Sequence, residues 1–159
     1  MELFQDYEDL LNAFNAQGVK YLLVGGYAVS FYTVPRFTKD IDIWIRPDER
    51  NAKKVYQALA DFGAPLINIV SGDFAVPGTV YQMGVAPVRI DIINTTGGVP
   101  FDEAWKNKKT VKYGKATVQI IGLSELIAVK KAVGRKQDMI DVEKLVKKIP
   151  GAKRKTGKK

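Results

Sequence analysis

Three aspartates carry most of the chemical information in this sequence. Asp40 and Asp42 stand two residues apart in Lys39-Asp40-Ile41-Asp42-Ile43-Trp44-Ile45, and Asp91 stands in Val88-Arg89-Ile90-Asp91-Ile92-Ile93. Both segments alternate as β-strands do, so successive side chains leave opposite faces. Ile41, Ile43 and Ile45 therefore share one face, and Asp40, Asp42 and Trp44 the other. In the second segment Ile90 and Ile92 oppose Arg89 and Asp91. Two positions along a strand advance about 7 Å. Carboxylates held that closely at the rim of a core repel each other, and dehydrating them is costly unless a counter-charge is present. A divalent cation supplies that charge, and an all-oxygen ligand set favours Mg2+ or Mn2+ over zinc. A third strand carboxylate completes an octahedral oxygen site or accepts a proton from an attacking hydroxyl. Taken alone, Asp40 and Asp42 also read as the polar stripe that alternation places on a solvent-facing side. Asp91 alone also reads as the salt-bridge partner of Arg89 or Arg36.

Gly25-Gly26 adds a second chemical element. The pair follows the apolar run Tyr21-Leu22-Leu23-Val24 and precedes a segment with helical character. Glycines between a strand and a helix let an anion approach the backbone without a Cβ in the way, and the helix amides then point at it. By itself the pair reads equally as a plain turn. Arg36 and Lys39 lie just before the carboxylate pair and place positive charge where a triphosphate would pass. The sequence contains no histidine and no cysteine. That excludes imidazole acid–base catalysis, the serine–histidine triad, histidine–zinc sites, thiolate metal sites and a disulfide framework.

The elements that must hold these residues can be read from periodicity. Leu3, Tyr7, Leu10, Leu11 and Phe14 recur at helical spacing over 2–17, and Gly18 supplies the stop. Residues 21–24 read as a buried strand entering a tight turn, 27–32 as a short helix, and 39–45 as the first carboxylate strand. Pro47 and Asp48 open a helix to about Phe62, with Val55, Tyr56, Leu59 and Phe62 as its buried stripe and Gly63 as its end. Residues 64–78 read as irregular. Strands are expected at 79–83 and 88–93, one helical turn at 101–105, and a hairpin of 110–113 with 116–121 joined at Gly114-Lys115. Ser124 is expected to cap a helix to Val133, and after Gly134 a last helix runs from about Gln137 to Lys148. The expected whole is one α+β domain over 1–150, a mixed β-sheet flanked by helices with a C-terminal helix pair, followed by a tail over 151–159.

Composition bounds the remaining classes. At 159 residues, 46% hydrophobic and 26% charged, the chain matches an ordinary globular domain with a substantial core. Of the formal charge of +8, five positive residues lie in the last nine positions, as Lys153, Arg154, Lys155, Lys158 and Lys159. Such a run reads as solvated, or as a nucleic-acid contact. The N-terminus carries acids where a signal peptide carries positive charge, and no long apolar run follows. The expectation is a cytoplasmic protein without membrane contact.

The order of these parts resembles the nucleotidyltransferase superfamily, the DNA-polymerase-β-like fold. The resemblance rests on Leu22-Leu23-Val24-Gly25-Gly26, then Thr38-Lys39-Asp40-Ile41-Asp42, then Arg89-Ile90-Asp91. It looks closest to small bacterial and archaeal members related to abortive-infection toxin nucleotidyltransferases, which also end in a helix pair joined by a Gly-Arg-x-Lys-Asp-like stretch. Here that stretch is Gly134-Arg135-Lys136-Gln137-Asp138, followed by Asp141. The resemblance covers roughly residues 20–145. It implies a nucleotidyltransferase fold and a metal-dependent transfer of a nucleoside monophosphate from a triphosphate such as ATP to an acceptor hydroxyl, releasing pyrophosphate. The acceptor would be RNA such as a tRNA end, a protein or a small molecule. Asp40, Asp42 and Asp91 would hold the metals and serve catalysis, Asp91 also helping to deprotonate the acceptor. Gly25 and Gly26 would cradle the phosphates. Lys130, Lys131, Arg135 and Lys136 would be candidates to neutralise the triphosphate, although they also read as an exposed basic helix face. The competing reading is a non-catalytic nucleotide- or RNA-binding module of the same fold, with a partner protein in a toxin–antitoxin pair. Two departures stand out: Gly26 replaces the serine common at that place, and the chain has no large extra module to grip an acceptor.

Overall fold

A computed structural model of the chain describes residues 3–151. Its elements run α1 (Gln5–Ala16), β1 (Tyr21–Val24), α2 (Gly25–Tyr32), β2 (Asp40–Ile45), α3 (Glu49–Phe62), a 3-10 turn (Ser71–Ala75), β3 (Val80–Met83), β4 (Arg89–Ile93), α4 (Phe101–Lys106), β5 (Lys109–Tyr113), β6 (Ala116–Ile120), α5 (Leu123–Val133) and α6 (Lys136–Val146). The six strands form one mixed sheet in the order β3-β4-β2-β1-β6-β5. β2 runs parallel to β4 and antiparallel to β1, and β1 runs parallel to β6. The expected α+β architecture with a terminal helix pair is thus the one adopted. The basic run from Lys153 onward lies outside the described residues.

The core follows the periodicities. Tyr7, Leu10, Leu11 and Phe14 of α1 are fully buried, as are Ile41, Ile43 and Ile45 of β2 and Val55 and Leu59 of α3. α3 starts cleanly because the Asp48 carboxylate accepts a hydrogen bond from Asn51 N at 2.8 Å, and it stops at Gly63 in the left-handed region. α1 also reaches the carboxylate strands: the Tyr7 hydroxyl donates to the carbonyls of Pro87 (3.0 Å) and Arg89 (2.9 Å), tying the start of β4 to the helix.

Four local expectations are corrected. Trp44 shares a strand face with Asp40 and Asp42 but is buried, its ring edge-on to Phe101 of α4 at 5.1 Å. The face is therefore open only at its aspartate end, because α4 covers the rest. Ser124 does not cap α5; Gly122 is the cap residue, and its carbonyl accepts from Leu126 N at 2.9 Å. α2 begins at Gly25 itself and not at Tyr27. The stretch expected to be irregular contains the 3-10 turn, which folds Phe74 into the core edge-on to Tyr81.

Because Ile43 lies under the carboxylate pair at zero exposure, truncating it leaves a cavity directly beneath the site. Ile43→Ala is expected to lower unfolding stability by about 2–5 kcal/mol, read as a fall in urea midpoint with unchanged slope.

Candidate active site

The carboxylates meet because two strands run in register. β2 and β4 pair with Asp42 opposite Asp91 and Asp40 opposite Arg89, while β1 places Val24 opposite Asp42. Strands lie about 4.8 Å apart, so this register alone makes Asp42 and Asp91 neighbours. One carboxylate oxygen from each of Asp40, Asp42 and Asp91 lies within 4.8 Å of the other two. The three line a cleft of about 860 Å³ together with Gly25, Gly26 and Arg89.

The electrostatics record the strain of that grouping. Burial, and then the charges of Asp40 and Asp91, push the Asp42 carboxyl up to about 7, although Lys130 and Arg89 pull partly in the other direction. Asp40 is also raised, by burial and by Asp91, against the opposing guanidinium of Arg89. Arg89 bridges the pair: its Nη2 donates to Asp40 Oδ2 at 2.6 Å and to Asp91 Oδ2 at 3.0 Å, and its Nε to Asp91 Oδ1 at 3.2 Å. The salt-bridge reading of Asp91 is therefore correct as to Arg89, and it coexists with the cluster. Asp42 accepts no hydrogen bond among the described residues. An all-oxygen donor set of three carboxylates, one of them without a hydrogen-bond donor, fits a hard divalent cation such as Mg2+ or Mn2+.

Gly25 closes onto this cluster. Its φ of +71° lies in the left-handed region, and any Cβ there would overlap the Asp42 carboxylate. Gly26 faces Thr38: a Cβ at 26 would come within 2.6 Å of the Thr38 methyl. Thr38 thus fills the space that a serine at 26 would need, which gives a physical reason for that departure. Both glycines open α2, whose cap residue is Val24. Valine has no side-chain oxygen to accept from the first-turn amides, and that turn holds no acid. Val24, Gly25 and Gly26 line the cleft, so the positive end of the helix lies at its rim as an anion-receptive edge.

The basic candidates divide into two groups. Lys130 and Arg135 line the cleft, as do Arg36 and Lys39, whereas Lys131 and Lys136 are exposed on helix surfaces away from its lining. The reason is helical geometry, since adjacent residues on a helix point about 100° apart. Three of the lining cations are held in a charged network. Asp141, fully buried, accepts from Arg36 Nη1 at 2.6 Å and Nη2 at 3.2 Å, and pairs with Lys130 Nζ at 3.2 Å. Asp138, 1% exposed, accepts from Lys130 Nζ at 3.0 Å and Arg135 Nε at 2.7 Å. Burial pushes both carboxyls up, but hydrogen bonds, led by Arg135 at Asp138 and Arg36 at Asp141, outweigh it and hold both below the usual carboxylate range. Three cations against two anions leave one positive charge in the network. Sequence reasoning missed Arg89 and Thr38 as members of the site, although their period-2 spacing to Asp91 and Asp40 was visible. It also missed Lys144 and the apolar wall of Ile93, Leu126, Val129 and Val133. The last three recur at helical spacing and read as core.

Two expectations follow from this geometry. The folded Asp42 carboxyl titrates near 7 and the unfolded one near the ordinary value of about 3.9. Between those pH values the folded chain holds a proton that the unfolded chain has released, so this group removes stability as pH rises. Asp42→Asn should therefore raise the melting temperature of metal-free protein at pH 8 and leave it nearly unchanged below pH 4. Gly25→Ala forces a Cβ into the left-handed region at a cost of about 1–2 kcal/mol and displaces the Asp42 carboxylate. Its expected readouts are a lower urea midpoint and lost triphosphate binding by calorimetry.

Residues 3–158 match the family model described as "Nucleotidyl transferase of unknown function (DUF2204)". No curated protein sequence matches the chain. The fold is similar to the crystal structure of a lincosamide antibiotic adenylyltransferase bound to lincomycin, with TM-score 0.56 and 17% identity, covering 91% of this chain and 98% of that one. It is also similar to an antigenic nucleotidyltransferase-like protein from Paracoccidioides brasiliensis, with TM-score 0.54 and 16% identity, covering 93% of this chain and 78% of that one. No helix among the described residues is long and apolar enough to cross a membrane. The expected superfamily is therefore the one to which the comparisons lead: matched over nearly its whole length, the chain belongs to the nucleotidyl transferase family and is a nucleotidyltransferase.

Proposed function

We propose that the cleft binds a nucleoside triphosphate and transfers its nucleoside monophosphate to the hydroxyl of a second substrate. The observation that carries this reading is the placement of three converging carboxylates beside the uncapped start of α2, in one cleft with Arg36, Lys39, Lys130 and Arg135. In the transfer the acceptor oxygen bonds to the α-phosphorus, the bond from that phosphorus to the bridging oxygen breaks, and pyrophosphate leaves. Asp40, Asp42 and Asp91 would hold Mg2+ or Mn2+, which supplies positive charge against the triphosphate and the leaving pyrophosphate. The first-turn amides at Gly25 and Gly26 receive the outer phosphates, and Lys130 and Arg135 balance charge from the helix pair. Asp91, opposite Asp42 in the β2–β4 register, takes the acceptor proton. Ile93 and Val133, backed by the buried Leu126 and Val129, offer apolar surface to a base or to the acceptor.

Two observations support a small hydroxyl compound as the acceptor. The cleft volume of about 860 Å³ lies within the range of about 300–1,000 Å³ for small-molecule sites. The lincomycin-bound adenylyltransferase is covered over 98% of its chain by this one, so a comparable length houses a site for a small acceptor. The RNA-acceptor and toxin–antitoxin readings are set against this one by the same assay. Purified protein, Mg2+ and α-labelled triphosphates, each nucleotide separately, are incubated with cell extract, which is then fractionated into small molecules, RNA and protein. Label is expected in the small-molecule fraction and should fall to background with Asp40→Ala plus Asp42→Ala. Label unaffected by those changes would falsify the assignment. Triphosphate with Mg2+ at about 100 times its dissociation constant should add about 2.7 kcal/mol of stability. Binding without transfer to any fraction would instead favour the non-catalytic module.

A further inference from the structure

Arg89 is placed where a cation would have to be. It lies opposite Asp40 in the β2–β4 register and two positions before Asp91 on the same strand face. Its guanidinium occupies Asp40 Oδ2 at 2.6 Å and Asp91 Oδ2 at 3.0 Å, while Asp42 receives none of its bonds. Its backbone is fixed, since the Arg89 carbonyl accepts from the buried Tyr7 hydroxyl, but its side chain is 39% exposed and borders the open cleft. The arm is anchored at its base, and its tip, held by hydrogen bonds to Asp40 and Asp91, borders open cleft into which it turns once those bonds are given up.

We infer that Arg89 is the resident counter-ion of the carboxylate triad, and that it surrenders Asp40 Oδ2 and Asp91 Oδ2 to the entering divalent cation as its side chain swings into the cleft. The inference rests on the metal site of the proposed function. Two positive centres a few ångströms apart in a half-buried site repel each other, and they seek the same oxygens, so they compete. Arg89 is then a positioning residue that keeps three like charges assembled before a cation enters, and it weakens the binding of free cation. A residue that only organised the carboxylates would have the opposite effect, because its removal would let the ligands splay and bind metal less well.

The test is titration of Mn2+ alone, without nucleotide, at pH 8, following free Mn2+ by electron paramagnetic resonance. Arg89→Gln is expected to bind Mn2+ about tenfold more tightly than the unaltered protein, and Arg89→Lys to fall between them. Lys39→Gln removes one charge from the cleft lining without touching the triad, and should tighten binding far less. Equal or weaker binding by Arg89→Gln, or equal tightening by Lys39→Gln, overturns the inference and leaves the metal site standing. Absence of Mn2+ binding to every folded variant overturns the metal site and the inference together. Should Arg89→Gln fail to fold, the Arg89 Nε–Hε resonance of the unaltered protein decides: it is expected to move when Mg2+ is added, and a resonance that stays fixed overturns the inference.

Discussion

Repulsion among three carboxylates at one end of a sheet is the constraint around which this domain is arranged. The register of β2 against β4 forces Asp42 beside Asp91, and the isoleucines on the opposite face of β2 tie that register to the hydrophobic core. A one-residue slip would turn the isoleucines outward and the aspartates inward, so the core and the charge cluster specify the same alignment. The cluster is tolerated through three compensations. Arg89 bridges two of the acids, Asp42 takes up a proton far more readily than an ordinary carboxyl, and Lys130 and Arg135 face the cleft from the helix pair. None of these supplies a hydrogen bond to Asp42. That group is where the site has its largest unmet demand for positive charge.

The second half of the chain brings buried ion pairs to the site. Asp138 and Asp141 are nearly inaccessible, and isolated buried carboxylates would be expensive. Each is satisfied by cations from more than one element: Arg36 precedes β2, Lys130 lies on α5 and Arg135 opens α6. The network therefore joins the loop before the carboxylate strand to both terminal helices, and it leaves positive charge directed at the cleft. The residues that satisfy these buried carboxylates also line the cleft. α5 also brings the exposed Val133 to the cleft, with Leu126 and Val129 buried behind it, so one helix contributes both a charged and an apolar part of the lining.

The α2 junction shows the same sharing of roles. A glycine is required at position 25 by backbone conformation and by contact with Asp42, and the glycine at 26 is matched by the Thr38 methyl. Strand, turn and helix start are thereby packed against the acid cluster. The valine cap is poor chemistry for a helix in isolation. It is compatible with a helix whose N-terminus is meant to meet an anion.

Much of this was written into local patterns. Strict alternation in 40–45 and 88–93 identified both carboxylate strands, the spacing of Leu10, Leu11 and Phe14 identified the first helix, and Gly25-Gly26 marked the strand-to-helix turn, because period and turn chemistry are properties of short segments. Burial of Trp44 was not legible, since it depends on Phe101 of α4, which is far away along the chain. The capping role expected of Ser124 failed because tertiary packing placed the helix start at Gly122. The division between Lys130 and Lys131 also needed the fold, as neighbouring lysines look alike until a helix is rotated against a sheet. The sequence by itself determined which residues were available for chemistry and which strand faces they left from, since both follow from side-chain type and backbone period. Only the tertiary structure decided which charges meet, because strand register and helix docking join residues that no local pattern connects: Asp42 to Asp91, Arg89 to Asp40, and Lys130 to Asp138.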